Sequence, residues 1–308
     1  MEASGGRIWA LLNTDVLSLL QKEVFFIMQY QVMNMAIDYD KIGVNNQGYQ
    51  PMLKLYLPDA SPELYLGKKR PMVLICPGGA YVMTTIREAD PIAFKFLSAG
   101  FAAAVLHYSV GYDRFPAAQL EVAKSVATIR ENAEEWGIDP NKIIVCGFSA
   151  GGHLAGSFGT LWNRDFITDY FGYHKEEHKP NGMILGYPVL TSGEKAHRES
   201  FDSLLGERKD DPELLELLSV EKQVSADTPR AFIWHTYDDN CVPVESSLLM
   251  ATAMTAAGIN VELHIYSSGS HGLSLANHVS SSEEHKEWFI NPDCQGWIDM
   301  AIRWVENL

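Results

Sequence analysis

Cysteine is scarce in this chain of 308 residues: there are four, Cys76, Cys146, Cys241 and Cys294, with no CxxC spacing among them. That excludes a disulfide framework and a thiolate zinc site, and it fits a reducing compartment, so the expected location is cytoplasmic. Basic residues are also short. Lys and Arg number 24 against 39 Asp and Glu, a formal net charge of −15. Such a surface repels nucleic acid and anionic membranes, and neither is an expected partner. No uninterrupted apolar run reaches membrane-spanning length: the apolar stretch 8–30 is broken by Asn13, Asp15, Gln21, Lys22 and Glu23. It lacks the basic start and small-residue cleavage site of a signal peptide, with only Arg7 set against Glu2. Glu284-His285 lacks the two-histidine spacing of a zinc helix, and no repeat, low-complexity tract or interdomain linker is evident.

What is present is material for a large core, 46% hydrophobic against 20% charged. Leu12, Val16, Leu19, Leu20 and Glu23 fit helical spacing, so residues 1–31 are expected to form an amphipathic extension ahead of a single domain over 32–308. Its apolar face suits docking on the body, covering the active site, or pairing with a second subunit in a homo-oligomer. A natural start at Met28 or Met33 is the alternative. Beyond it, strands are expected at 32–39, 51–57, 71–76, 101–107, 142–147, 182–187, 230–237 and 260–266. Helices are expected at 90–99, 116–136, after Ser149, at 244–257 and at 294–307. This alternation implies a mostly parallel sheet with helices on both faces. No strand pattern appears between 191 and 227, where Asp210-Asp211-Pro212-Glu213 reads as a capped helix start. That segment is expected to extend over the carboxyl end of the sheet as a partial cap.

The chemistry concentrates in four places. Lys142-Ile-Ile-Val-Cys-Gly-Phe-Ser149-Ala-Gly-Gly-His153 is an apolar strand, a tight turn and a helix with Ser149 at its apex, the context that a G-x-S-x-G nucleophile elbow requires. Small neighbours are needed because the apex lies in strained backbone. The following helix aims its N-terminal amides at a developing oxyanion. Downstream, strand 230–237 runs into Asp238-Asp239, either of which could orient a histidine. His271 lies in the Gly/Ser loop after strand 260–266. Upstream, strand 71–76 ends in Pro77-Gly78-Gly79-Ala80-Tyr81, whose close-approaching backbone offers the amides of Gly79 and Ala80, beside that of Ala150, as an oxyanion hole. Tyr81, next to this loop, is expected to line the acyl or alcohol pocket, with a purely structural role as the alternative. His153, His107 and His235 are expected to be packed histidines rather than bases.

With these residues in view, the chain resembles the α/β-hydrolase superfamily. Within it, the resemblance is to the small esterases related to hormone-sensitive lipase, and more closely to the acetyl-xylan-esterase-like or "sugar hydrolase" group. It rests on Pro77-Gly-Gly-Ala-Tyr81, Arg87-Glu-Ala-Asp90, Tyr108-Ser-Val110, Gly147-Phe-Ser-Ala-Gly-Gly-His153 and Tyr187-Pro-Val189. Further support comes from Leu204-Leu-Gly206, His235-Thr-Tyr-Asp-Asp239, Val242-Pro-Val-Glu245 and Gly269-Ser-His-Gly-Leu-Ser274, so that it covers roughly 35–308. The family's Asp-x-x-Val-Pro pattern selects Asp239 over Asp238, which is left as a turn residue. The order Ser149…Asp239…His271 is that of α/β-hydrolases. Two departures stand out: Pro77 replaces the His, and Ala80 the last Gly, of a His-Gly-Gly-Gly loop. Ala80 still supplies an N–H, so the hole survives if this position needs no positive φ. The resemblance implies a serine carboxylesterase acting on a small ester of short acyl chain, such as acetyl groups on carbohydrates, with no metal or other cofactor. A prolyl-oligopeptidase-like peptidase shares the triad order, and a ligand-binding protein on a hydrolase scaffold is the non-enzymatic alternative.

Overall fold

The computed structural model describes residues 28–59, 69–173 and 176–308. Among them, β1 (Met28–Asn34), β2 (Met52–Pro58), β3 (Arg70–Cys76), β4 (Ala102–His107), β5 (Ile138–Phe148), β6 (Gly182–Gly186), β7 (Ala231–Thr236) and β8 (Val261–Tyr266) form one sheet. Its order is β1-β2-β4-β3-β5-β6-β7-β8. The β1–β2 and β2–β4 pairs are antiparallel and the rest parallel. The expected mostly parallel sheet of about eight strands is what forms.

The helices are α1 (Asp90–Ser98), α2 (Ala117–Glu131), α3 (Ala150–Leu161), α4 (Asp165–Phe171), α5 (Arg198–Leu205), α6 (Pro212–Leu218), α7 (Glu245–Ala256), α8 (Lys286–Phe289) and α9 (Trp297–Glu306). Side chains alternate across a strand, so each strand feeds two cores. Leu53, Leu55, Met72, Leu74, Val145 and Leu185 face α2, α3 and α7, where Leu120, Phe158 and Met250 meet them. Val73, Ile75, Val105, Ile144 and Phe232 face α1 and α9. There Trp234 and Trp297 stack with centroids 4.9 Å apart, both fully buried. Residues 297, 301, 304 and 305 of α9 fall on one helical stripe and are buried, which docks this helix across the sheet.

Several boundaries differ from expectation, and β5 begins at Ile138 rather than 142. The opening strand lies at Met28–Asn34 rather than 32–39, in register with β2 from Met28↔Pro58 to Asn34↔Met52. Residues 28–31 are therefore strand rather than extension; residues 1–27 of that extension lie outside the described residues. The helix expected over 116–136 ends at Glu131, and Gly137, with φ 64°, turns the chain into β5. Helices α4, α5 and α8 are not among the expected elements.

Parallel strands point their carboxyl ends the same way, and loops leaving those ends converge on one crevice. The loops after β3, β5, β7 and β8 carry Gly79, Ser149, Asp239 and His271. Between β6 and β7, segment 191–227 folds as α5, α6 and two short 3₁₀ turns. Leu204 accepts amide hydrogen bonds from Arg114 and Phe115 (3.0 and 3.2 Å), and Arg208 meets Asp113 at 2.7 Å, which fastens this segment to the loop after β4.

Candidate active site

Strand β5 ends in Gly147-Phe148, and Ser149 takes φ 52°, ψ −122° before α3 begins at Ala150. Such a conformation costs on the order of 1–3 kcal/mol and must be imposed by its surroundings. The surroundings are backbone. A Cβ on Gly147 would stand 2.0 Å from the Gly151 oxygen, and one on Gly151 would stand 2.1 Å from the Cys76 oxygen and 2.5 Å from that of Pro77. The two elbow glycines let strand, helix and the loop after β3 touch without side chains between them. Ser149 N–H donates to the Gly186 oxygen (3.1 Å), and the Ser149 oxygen accepts from His153 N–H (3.0 Å).

His271 reaches this serine from the loop after β8. Its Nε2 lies 2.8 Å from Ser149 Oγ and its Nδ1 lies 2.7 Å from Asp239 Oδ2. The Asp239 carboxylate is fully buried. Oδ1 accepts the amides of Cys241 (2.8 Å) and Val242 (2.9 Å), and Oδ2 has His235 Nε2 at 3.3 Å besides His271. Burial by itself would raise the Asp239 pKa. The hydrogen bonds from His235, His271 and Cys241, with the His271 charge, outweigh it and hold the carboxyl well below the ordinary value. Asp238 is the turn residue expected: it accepts from Ser268 Oγ (2.8 Å) and Gly269 N–H (2.7 Å), which ties the histidine loop to the end of β7.

The loop after β3 is fixed through its carbonyls. A planar trans peptide points C=O and the next N–H in opposite directions, so gripping one aims the other. Pro77 O accepts from the Tyr108 hydroxyl (2.7 Å), Gly78 O from Thr85 N–H (2.9 Å), and Gly79 O from Val82 and Met83 N–H (2.9 and 3.1 Å). The last two grips orient the amides of Gly79 and Ala80. Among the described residues, neither of these amides nor that of Ala150 donates a hydrogen bond. A Cβ on Gly78 would stand 2.9 Å from the Ser149 Cβ, which sets how near this loop lies to the serine. Position 80 does require positive φ, at 52°, contrary to the condition set from sequence. The bond network holds Ala80 there at a cost of roughly 1–2 kcal/mol, and its N–H is retained.

Tyr81 is corrected. It is 1% exposed, and its hydroxyl sits 2.7 Å from His153 Nδ1, so the ring packs under the loop instead of lining a pocket. His153 is the packed histidine expected, its Nε2 3.0 Å from the Leu218 oxygen of α6, and burial lowers its pKa to about 4. His107 lies 2.9 Å from Thr84 Oγ1. His235 is buried as expected but does more than pack. Its Nδ1 meets Ser247 Oγ (2.8 Å) and its Nε2 meets the Val242 oxygen (3.0 Å) besides Asp239. Residues that the sequence left without a role are Glu88, Tyr187 and His197. His197 precedes α5 and is half-buried, and its pKa is lowered by burial and then by the charge of His271. The signal for Glu88 was an acid inside a motif that carries the resemblance.

The BD-FAE family model matches residues 53–254. The chain belongs to the BD-FAE family. It is 38% identical over 215 residues to Endo-1,4-beta-xylanase B of Butyrivibrio fibrisolvens, covering 68% of this chain and 33% of that protein. It is 33% identical over 204 residues to the acetylxylan esterase of Xylanibacter ruminicola, covering 65% and 40%. The chain thus spans between a third and two fifths of the length of these curated relatives. The crystal structure of an acetyl ester-xyloside bifunctional hydrolase from Caldicellulosiruptor lactoaceticus superposes with a TM-score of 0.72 at 34% identity, over 90% of this chain and 96% of that one. The fold is that of the α/β-hydrolases, in the esterase group the sequence resembles. Among the described residues no helix is long and apolar enough to cross a membrane.

Proposed function

We propose that this chain is a serine carboxylic ester hydrolase that removes short acyl groups, with acetyl groups on xylan-type carbohydrates as the favoured substrate class. One observation carries the reading: the unbroken line Ser149 Oγ, His271, Asp239, with bonds of 2.8 and 2.7 Å ending on a buried carboxylate. The relatives named for acetylxylan and acetyl ester hydrolysis support the substrate class. The four free cysteines and the acidic surface suit a cytoplasmic enzyme acting on an uncharged small molecule.

Asp239 fixes the His271 tautomer that carries its proton on Nδ1, leaving Nε2 to take the Ser149 proton as the hydroxyl attacks the ester carbonyl. The amides of Gly79, Ala80 and Ala150 receive the oxyanion, and the N-terminus of α3 adds its positive dipole end. Losing one such donor costs about 3–4 kcal/mol in comparable sites. His271 then protonates the leaving alcohol, and water repeats the sequence on the acyl-serine. No step calls for a cofactor.

The test is hydrolysis of p-nitrophenyl acetate, butyrate and octanoate by wild type and Ser149→Ala. Activity should fall with chain length and drop at least about 10⁴-fold in the variant. A folded Ser149→Ala that retains turnover would remove the serine mechanism. Wild type that neither turns over these esters nor is labelled at Ser149 by a fluorophosphonate would be a binding protein.

A further inference from the structure

Glu88 is 2% exposed, sits in the 3₁₀ turn Ile86–Glu88, and takes no part in the chemistry described above. Its two oxygens face different machinery. Oε2 accepts the Gly78 amide at 2.8 Å, one residue before the first oxyanion amide. Oε1 accepts the Tyr187 hydroxyl at 2.7 Å, and the Tyr187 oxygen accepts the amide of Ser274 at 2.9 Å, three residues after His271. The neighbour Arg87 grips the same histidine loop, donating to the Gly272 oxygen (2.9 Å) and accepting from Ser274 Oγ (2.6 Å). The Tyr187 ring also lies edge-on to His271, centroids 5.0 Å apart.

We propose that Glu88 is a positioning residue whose carboxylate, through Tyr187, sets the distance between the oxyanion loop and the loop that carries His271. The two loops are far apart in the chain and leave different strands, β3 and β8, which are not neighbours in the sheet. Sheet pairing alone therefore does not fix their separation. A carboxylate suits this task because it offers two acceptor oxygens at fixed spacing and no donor. Both donors it accepts directly, the Gly78 amide and the Tyr187 hydroxyl, are buried and would lose their acceptor without it, and the Ser274 amide would then rest on a Tyr187 hydroxyl no longer anchored. The inference rests on the serine-hydrolase reading, since it assigns Glu88 a part in that reaction.

The experiment compares wild type, Glu88→Gln, Tyr187→Phe and the double variant. For each, kcat and KM on p-nitrophenyl acetate, the inhibition constant of phenylboronic acid and the melting temperature are measured. Glu88→Gln keeps the shape but leaves one acceptor oxygen for two donors, so its NH2 must face either the Gly78 amide or the Tyr187 hydroxyl. A misplacement near 1 Å costs about 100-fold in rate, so kcat should fall about 10- to 100-fold with KM within about twofold. The phenylboronic acid constant should rise alongside, because that adduct uses the same amides. Tyr187→Phe should lower kcat about tenfold, and the double variant should be no worse than Glu88→Gln within about twofold, since one tether acts through the other. Wild-type kcat in Glu88→Gln overturns the proposal, as does a loss confined to KM or a double variant equal to the product of the singles. If Glu88→Gln does not fold, Tyr187→Phe decides alone: wild-type kcat overturns, and a tenfold loss at unchanged KM and melting temperature supports. An inactive wild type would instead sink the esterase reading.

Discussion

The substitution Gly151→Ala adds one methyl group where the structure has no room for it. Its Cβ would stand 2.1 Å from the Cys76 oxygen and 2.5 Å from the Pro77 oxygen, whereas real Cβ atoms keep beyond about 3.0 Å. Both obstacles are backbone at the end of β3, so no side chain can swing aside. Roughly 1 Å must open between α3 and the loop bearing Gly79 and Ala80. Overpacking of this kind costs about 1–3 kcal/mol in stability. On the proposed mechanism the larger effect falls on rate, because the serine and the Ala150 amide sit at the start of α3 while the other two proposed oxyanion donors, Gly79 and Ala80, ride on the loop. Displacing one set against the other by about 1 Å predicts a fall in kcat/KM of about 100-fold. Gly296→Ala is the control, since a Cβ there meets nothing within 4 Å. The assay is kcat/KM on p-nitrophenyl acetate with thermal melts of both variants. Wild-type kcat/KM in Gly151→Ala would refute the claim that elbow-to-loop contact sets the site geometry.

Two further predictions concern the layer beneath the site. Tyr81→Phe removes the partner of a buried His153 Nδ1, and should cost about 1–3 kcal/mol of stability while leaving KM within twofold; a raised KM at unchanged stability would restore Tyr81 to the pocket. His153 has a folded pKa of about 4 against an ordinary 6.5, so between those values the unfolded chain binds a proton that the folded one does not. Its stabilising contribution is full above pH 6.5 and is lost as pH falls toward 4, in total about 3 kcal/mol. Glu121, pushed up to about 7 by burial, acts with the opposite sign across part of the same window. The reading is therefore the difference between wild type and His153→Gln in denaturant unfolding at pH 7.5, 6 and 5. That difference should shrink as pH falls, and a constant difference would contradict the assignment.

What the sequence disclosed follows from how local each signal is. The strand–elbow–helix around Ser149 is read within twelve residues, and the strands before Asp239 and His271 are short β-branched or aromatic runs, so these positions could be named. The bounds of β1 could not. It is an edge strand with one face exposed at Met28, Tyr30 and Val32, and its apolar residues continue those before it without a break. Helix α4 is seven residues long with no side-chain cap on Arg164, which leaves little pattern to detect. Which of its two roles Tyr81 takes is not legible in the sequence, because its direction depends on His153, which is distant in sequence. For Glu88 the sequence marks an acid within a family-like motif but not its role, for the same reason. An acid in a short turn acquires a role only when Gly78, Tyr187 and Ser274 are brought around it.

The departures from the His-Gly-Gly-Gly pattern show why the loop tolerates them. A glycine-rich oxyanion loop is usually understood through its freedom to adopt positive φ, yet here Ala80 and Tyr81 both take it, at 52° and 59°. Their conformations are set by hydrogen bonds to the carbonyls of Gly78 and Gly79 and by the docking of the Tyr81 ring against Tyr108 and His153. On the proposed mechanism, strain of roughly 1–2 kcal/mol at each non-glycine position is small beside the roughly 3–4 kcal/mol that an aimed amide would supply at the transition state. Glycine remains obligatory where a Cβ would meet backbone. At Gly79, which combines φ 133° with a Cβ position 2.2 Å from the Met83 oxygen, both constraints apply at once. The position where Ala is accepted carries only the conformational constraint, and that is the one the bond network can overcome.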